Sequence, residues 1–293
     1  MENQTTKVSI EKATAIEFTN KFSNDVAQLM DILGVSRKIP LKVGDQIKTF
    51  KTTVSKTDSK VAEGELIPLT KVELKVDKTY ELEYRKKRAE VTGELIQRVG
   101  LEQSLITVDT NLTKELQKEI RLDLIEFIKK GAQKGTPETL KGALAKAWAD
   151  LKIAFKDDAV ETVAFVNPLD ISDHIEQANL DLQTEFGLTY LKNFVGINTV
   201  IVTGLIPKGE VYATAADNIV AAYADMSGGE LSKAFNLTTD NTGLIGICHN
   251  DVPQSVTKES VFISGLVLYA ERTDGNFKYV ITPKAAETPE AAE

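Results

Sequence analysis

The 293-residue chain has one cysteine, two histidines and one tryptophan. Cys248 alone forms no internal bridge, which excludes a disulfide scaffold. With no export signal, the Asn-x-Ser/Thr matches at Asn3, Asn111 and Asn236 read as chance. Met1 to Met30 scatters acids and amides where a secretory signal needs a basic start and an apolar block. No apolar run approaches the ~18 residues of a helical membrane span, so the chain reads as soluble and of intracellular origin. Positive charge is also in deficit: 35 basic against 43 acidic residues leave a net charge of -8. A chain of that sign gains little from the counterion release that drives tight binding to phosphate backbones, and a dedicated nucleic-acid binder is disfavoured.

Signals for chemistry are equally sparse. Gly204 and Gly209 have Walker-type spacing, but Glu210 stands where the phosphate-binding lysine belongs, and no Gly-x-Gly-x-x-Gly occurs. His174 and His249 lie far apart in sequence, without the neighbours of a metal site or triad. Cys248 and His249 are adjacent, so on a strand they point to opposite faces, and core packing is the simpler use of the thiol. Asp157 with Asp158, and Asp170 with Asp173, are conceivable acid–base or divalent-cation pairs; solvated helix ends explain them more simply. The basic run Arg85-Lys86-Lys87-Arg88 could touch phosphate. Glu81, Glu83 and Glu90 flank it, which favours an ionic contact between subunits. No residue is therefore assigned as catalytic, cofactor-binding or metal-binding.

What is present is an ordinary globular composition, 42% apolar and 27% charged, with enough length for one elaborated domain or two simple ones. Ile10 to Leu33 carries Phe18, Phe22, Val26, Leu29, Met30 and Leu33 at helical spacing and stops at Gly34, as an amphipathic arm or a core helix. From Val72 to Tyr84 the apolar residues Val72, Leu74, Val76, Tyr80, Leu82 and Tyr84 fall on even positions, broken only at Lys78, and the odd positions between them are mostly ionic. Thirteen residues at ~3.3 Å each span ~40 Å, twice a usual strand. With Gln46 to Lys60 before it and a turn at Ala62-Glu63-Gly64-Glu65, this predicts a two-stranded finger whose apolar face rests on another subunit. The alternative is a kink at Asp77-Lys78 that splits it into two ordinary strands.

Asn111 to Lys130 reads as a helix capped by Asn111 or Thr113 and ended by Gly131. A second helix starts with Thr136 as cap and Pro137 in its first turn. Thr162 to Val166 is a short strand, and Asn167-Pro168-Leu169-Asp170 opens a helix to about Ala178. Thr199 to Thr203, Val211 to Thr214, Leu244 to His249 and Val261 to Glu271 read as strands, the last folded by Asp274-Gly275 onto Phe277 to Ile281 as a hairpin. Pro283 to Glu293 is Ala-, Pro- and Glu-rich, the composition of a disordered tail.

The order of these parts resembles the major capsid proteins of tailed bacteriophages, which share the Hong-Kong-ninety-seven-like fold. Val61-Ala62-Glu63-Gly64-Glu65-Leu66-Ile67-Pro68 is similar to the tip of their extended loop, and Asn111 to Lys130 to their spine helix. Val163 to Asp170 and Gly204 to Tyr212 resemble parts of the domain around the capsomer axis, and Ser264 to Ile281 a closing peripheral hairpin. The resemblance implies an α+β fold divided into an N-terminal arm with an amphipathic helix (1–45), an extended β-hairpin loop (46–90), a peripheral domain with the spine helix (91–135), an axial domain (136–255), and a return to the peripheral domain with an acidic tail (256–293).

It further implies a non-enzymatic shell protein, without cofactor or membrane, that forms pentamers and hexamers enclosing double-stranded DNA, assembled in the host cytoplasm and located in the virion. The 46–90 loop and the arm would supply the contacts between subunits. About forty-five residues precede the finger, so a separate scaffolding protein and no large maturation cleavage are expected, with a portal as a further partner. Lys56, Lys60 and Lys71 lie near the finger, and nothing selects one for a crosslink. The rival readings are an encapsulin-type nanocompartment shell and a soluble α/β enzyme or binding module.

Overall fold

Apolar residues spaced by three and four make helices here, and alternating ones make strands. The computed structural model describes residues 7–54, 72–156, 159–172, 182–185 and 188–282. In chain order the elements are α1 (Lys7–Leu33), β1 (Lys38–Leu41), β2 (Gln46–Val54), β3 (Val72–Glu81), β4 (Arg85–Thr92), α2 (Gly93–Val99), α3 (Leu101–Lys129), β5 (Ala132–Gly135), α4 (Leu140–Phe155), β6 (Thr162–Val166), β7 (Gln183–Glu185), β8 (Leu188–Phe194), β9 (Ile197–Val202), β10 (Glu210–Ala215), β11 (Ile219–Ala224), β12 (Ile245–Val252), β13 (Thr257–Ser264), β14 (Val267–Ala270) and β15 (Phe277–Val280). Contacts divide the chain into two units. Met1–Thr49, Val76–Leu124 and Ile219–Glu271 form the first; Phe50–Lys75, Ile125–Asn218 and Arg272–Glu293 form the second.

In the first unit, α1 buries Phe18, Phe22, Val26, Leu29, Met30 and Leu33 and packs on β12. It stops where Gly34 turns left-handed, at a φ of 66°, and the Val35 N–H returns to the Met30 carbonyl at 2.8 Å. Gln117 of α3 donates to Asp25 of α1 at 2.8 Å, fastening the two helices. One sheet has the order β1-β11-β14, with β1 parallel to β11. The other, β12-β13-β4, is antiparallel throughout.

The second unit is built on a seven-stranded mixed sheet of order β5-β15-β10-β6-β9-β8-β7. Against it α4 lays Leu140, Ala143, Leu144, Ala147 and Leu151, which meet Ala164, Val166, Val200, Val211, Ala213, Phe277 and Tyr279 in one buried cluster. The central strand β6 is buried at all five positions and apolar from Val163 to Val166, as a strand covered by a helix requires. Buried amides fix the turn before β15. Asn218 accepts from the Arg272 N–H at 2.7 Å and donates to the Arg272 carbonyl at 3.0 Å, and Thr214 donates to Asn276 at 2.8 Å.

Several boundaries differ from the sequence expectations. The helix expected from Asn111 begins ten residues earlier, at Leu101. Its hydroxyls cap nothing: Ser104, Thr107, Thr110 and Thr113 each donate to the carbonyl four residues back, which satisfies them inside a helix. The cap of α4 is Thr139 and not Thr136; its oxygen accepts from the Gly142 N–H at 3.1 Å. Asn167 does open a helical turn, residues 168–172, accepting from the Leu169 N–H at 2.8 Å; residues 173–181, with His174 and Asp173, lie outside the described residues.

The expected strand Val261 to Glu271 divides into β13 and β14 around Gly265, where an added Cβ would lie 2.6 Å from the Ala224 Cβ. The hairpin expected at Asp274-Gly275 is absent. A 3-10 turn at Thr273–Gly275 carries the chain from the sheet of β14 to the sheet of β15, and β15 pairs with β10 and β5. The true hairpin is β12–β13.

Tyr279 is buried under α4, and its hydroxyl donates to the Asp150 carboxylate at 2.6 Å. Burial first, then that hydrogen bond and charge, push its phenol well above the ordinary value; burial also raises Tyr212. In alkali the folded chain therefore keeps protons that the unfolded chain releases, and stability falls as pH rises above about 10. Tyr279→Phe should cost about 1 kcal/mol at neutral pH and flatten that alkaline decline, measured as urea unfolding across pH 8–11.

Candidate functional site

The long alternating segment forms β3, which pairs with β2 in a two-stranded sheet of its own. β3 runs unbroken through Asp77 and Lys78 and ends at Glu81 instead of Tyr84. It ends there because buried Leu82 closes the root: its N–H donates to the Asp45 carbonyl at 3.0 Å and its carbonyl accepts from Gly44 at 3.1 Å. Beyond the root, no side chain from Glu73 to Tyr80 is buried. Leu74 is 63% exposed and Val76 52%. Removing such a side chain fully from water is worth about 1.5–3 kcal/mol, so this face is a strong candidate for contact with another chain. The expected tip, with Lys56, Lys60 and Lys71, lies outside the described residues.

The basic run lies on β4, and its partners belong to its own chain. Arg85 pairs with Asp123 and Lys87 with Glu119, both on α3, while Arg88 meets Glu90 and Glu259. The contact expected between subunits is thus satisfied within the first unit. α3 presents acids at four-residue spacing to a strand that presents cations at alternate positions.

The register of β12 and β13 places His249 opposite Ser260 and Asp251 opposite Lys258, all four on one face. Asp109 of α3 lies 2.9 Å from His249, Oδ2 to Nε2, with side-chain exposures of 0% and 3%. Glu11 of α1 and Asp251 lie 2.7 and 2.8 Å from the Lys258 amine. An oriented imidazole is half of a hydrolytic dyad, but a nucleophile must also meet it. Cys248 is on the other face, and burial pushes its thiol up and away from the thiolate form. A cavity of about 210 Å³ beside this seam is lined by Glu11, Lys12, Phe235, Cys248, His249 and Asn250. Among the described residues, no three His, Cys, Asp or Glu side chains are grouped to hold a metal.

Asp170 accepts from the Gly209 N–H at 2.7 Å, so this carboxylate pins the Thr203–Gly209 loop. Asp157, Asp158 and Asp173 lie outside the described residues. No described helix is long and apolar enough to cross a membrane.

No protein-family model and no curated protein matches the sequence. Solved structures do match. The capsid of the cyanophage P-SCSP1u is similar over 85% of this chain and 86% of its own, with 7% identity and a TM-score of 0.54. The mature capsid of bacteriophage PhiM1 is similar over 87% of each chain, with 7% identity and a TM-score of 0.53. The holo-SrpI encapsulin complex of Synechococcus elongatus PCC 7942 is similar over 89% of this chain and 90% of its own, with 11% identity and a TM-score of 0.53. At such identities the likeness is one of fold: the chain has the α+β fold of tailed-phage capsid proteins.

The buried pair gives a direct test of its structural role. His249→Ala leaves the Asp109 carboxylate buried without this partner and should cost about 2–5 kcal/mol in denaturant unfolding. Replacing both Asp109 and His249 by Leu should cost less than the sum of the two single replacements, as a double-mutant cycle reads it.

Proposed function

We propose that the chain is the major capsid protein of a tailed bacteriophage, assembling as pentamers and hexamers into an icosahedral shell around double-stranded DNA. The observation that carries this reading is the likeness of fold to two phage capsids over 85–87% of the chain. The exposed Leu74 and Val76 support it, because a two-stranded ribbon with an uncovered apolar face is marginal alone and stable on a neighbour. In this reading residues 1–45 are an arm, 46–90 the extended loop, 91–135 the peripheral domain with the spine helix, 136–255 the axial domain, and 256–293 the return to the peripheral domain. The net charge of -8 suits a wall that must let DNA slide past without gripping it. A separate scaffolding protein and a portal are the partners that follow, with assembly in the host cytoplasm and residence in the virion. The shell then acts by tiling and by no reaction.

A second reading is favoured by the encapsulin likeness: a nanocompartment shell of the same fold that encloses proteins. The two differ in contents, DNA or protein.

Light scattering with negative-stain images of the purified chain decides whether it is a shell protein. Megadalton shells, or rings of five and six subunits, are expected. A monomer or dimer under every salt condition overturns both readings, and nuclease digestion of isolated particles separates them. Leu74→Ser with Val76→Ser should leave unfolding of the subunit within about 0.5 kcal/mol of the parent and weaken assembly at least ~10-fold.

A further inference from the structure

Buried on one side by Leu140, Ala143, Leu144, Ala147 and Leu151, α4 leaves Lys141, Ala145, Trp148 and Lys152 on one flank, at steps of four, three and four residues. The helix holds three lysines and one acid, Asp150, whose carboxylate accepts from Tyr279. In a chain of net charge -8 its outer surface is therefore basic.

Trp148 lies on that flank, 40% exposed, with the Lys152 amine 5.2 Å from the centre of its ring. The inner side of the indole rests on the turn between β8 and β9, where a Cβ added at Gly196 would stand 3.3 Å from the ring. Asn193 and Val195 of that turn are left-handed, at φ of 55° and 52°, an unusual conformation for a β-branched residue. The chain thus holds a large aromatic in place over a strained turn while leaving much of it in water, the pattern of an interface anchor.

The same end of the seven-stranded sheet carries acids. Ala215, the last residue of β10, pairs with Thr162, the first of β6, and the Thr162 N–H donates to Asn198 of β9 at 2.9 Å. The start of β6, the end of β10 and the β8–β9 turn therefore lie together. Glu161 precedes β6 and Asp217 follows β10, and the Ala216 N–H donates to the Glu161 carbonyl at 2.9 Å, which sets the two acids close together. Both are exposed, and neither has an ion-pair partner among the described residues. At the spacing of adjacent strands they stand roughly 10 Å across the sheet from the turn under Trp148. One corner of the second unit thus offers an aromatic anchor with cations, and the next corner unpaired acids. Patches of opposite sign that do not overlap on one chain fit a head-to-tail contact between copies, and such contacts close into rings.

We propose that the Trp148 flank of α4 docks on the Glu161–Asp217 corner of a second copy, with the indole against that corner and Lys152 facing its acids, repeated around a ring. This contact rests on the shell reading and deepens it, adding an interface made by the second unit to the one made by the ribbon. The indole supplies most of the affinity, because a buried aromatic anchor outweighs exposed ion pairs, and the charges set the register and exclude a like-charged approach.

Trp148 is the only tryptophan, so its emission reports this flank alone. Quenching by acrylamide, a neutral probe, is compared between dilute subunits of the full chain and assembled particles separated by sedimentation. Assembly should lower the quenching constant at least ~2-fold, as desolvation of an anchor requires. Lys152→Glu should weaken assembly ~10-fold, and adding Glu161→Lys and Asp217→Lys to it should restore assembly to within ~3-fold of the parent. Urea unfolding of each subunit checks the fold of the variants, and the quenching comparison needs no variant. Particles in which Trp148 is as open to acrylamide as in subunits overturn this contact and leave the shell reading standing. So does a charge-swapped chain that folds yet assembles no better than Lys152→Glu alone, or protection of Trp148 that nuclease removes, which would make nucleic acid the occupant. A chain that stays monomeric at every concentration overturns the shell reading and this contact together.

Discussion

A two-stranded ribbon has no interior of its own, and the rest of the molecule's behaviour follows from that constraint. β2 and β3 satisfy each other's backbone along one edge but leave Leu74 and Val76 in water. Among the described side chains of the ribbon the buried ones are at the root, where Ile47, Thr49 and Leu82 are enclosed and the Leu82 backbone closes on Gly44 and Asp45. In the proposed function another copy of the chain covers this face, which a two-stranded ribbon needs in order to be stable. Glu73, Lys75, Asp77 and Lys78 lie along the same strand, charged positions on exposed strands being the usual guard against indiscriminate pairing.

Around that constraint the two units are conventional. Each buries a helix stripe against a sheet: α1 on β12 in the first, α4 on the seven-stranded sheet in the second. Asn218, Thr214 and Asn276 enter the interior with hydrogen-bond partners, and the Lys258 amine lies between two carboxylates. Capsids and encapsulins share this fold, which fixes how a subunit is built and not what its shell contains. The two proposed readings differ in contents, which is why particle composition carries more weight than any further detail of the subunit.

Much of this was legible from residue order, and the failures have physical causes. The α1 stripe, the alternation in β3 and the apolar run of β6 from Val163 to Val166 depend on local pattern, which sequence reports directly. The first ten residues of α3 were missed because their hydroxyls look like caps and turn formers until the carbonyls four residues back are seen to accept from them. Asp274-Gly275 has hairpin chemistry but sits where the chain changes sheets, a decision made by the partners β10 and β5 and not by the turn itself. At the candidate site, the apolar face of the hairpin was visible as a pattern. The pairing of Asp109 with His249 spans 140 positions and left no local trace, and the cations of β4 gave no sign that α3 would supply their acids.

The Lys258 amine has a consequence for kinetics. Amine-reactive reagents modify lysines at rates set by access, and this one, 3% exposed and held between Glu11 and Asp251, becomes reactive only when the packing around it opens. Its rate of labelling is therefore a clock for that opening, and it runs at one defined position while the surface lysines are modified at once.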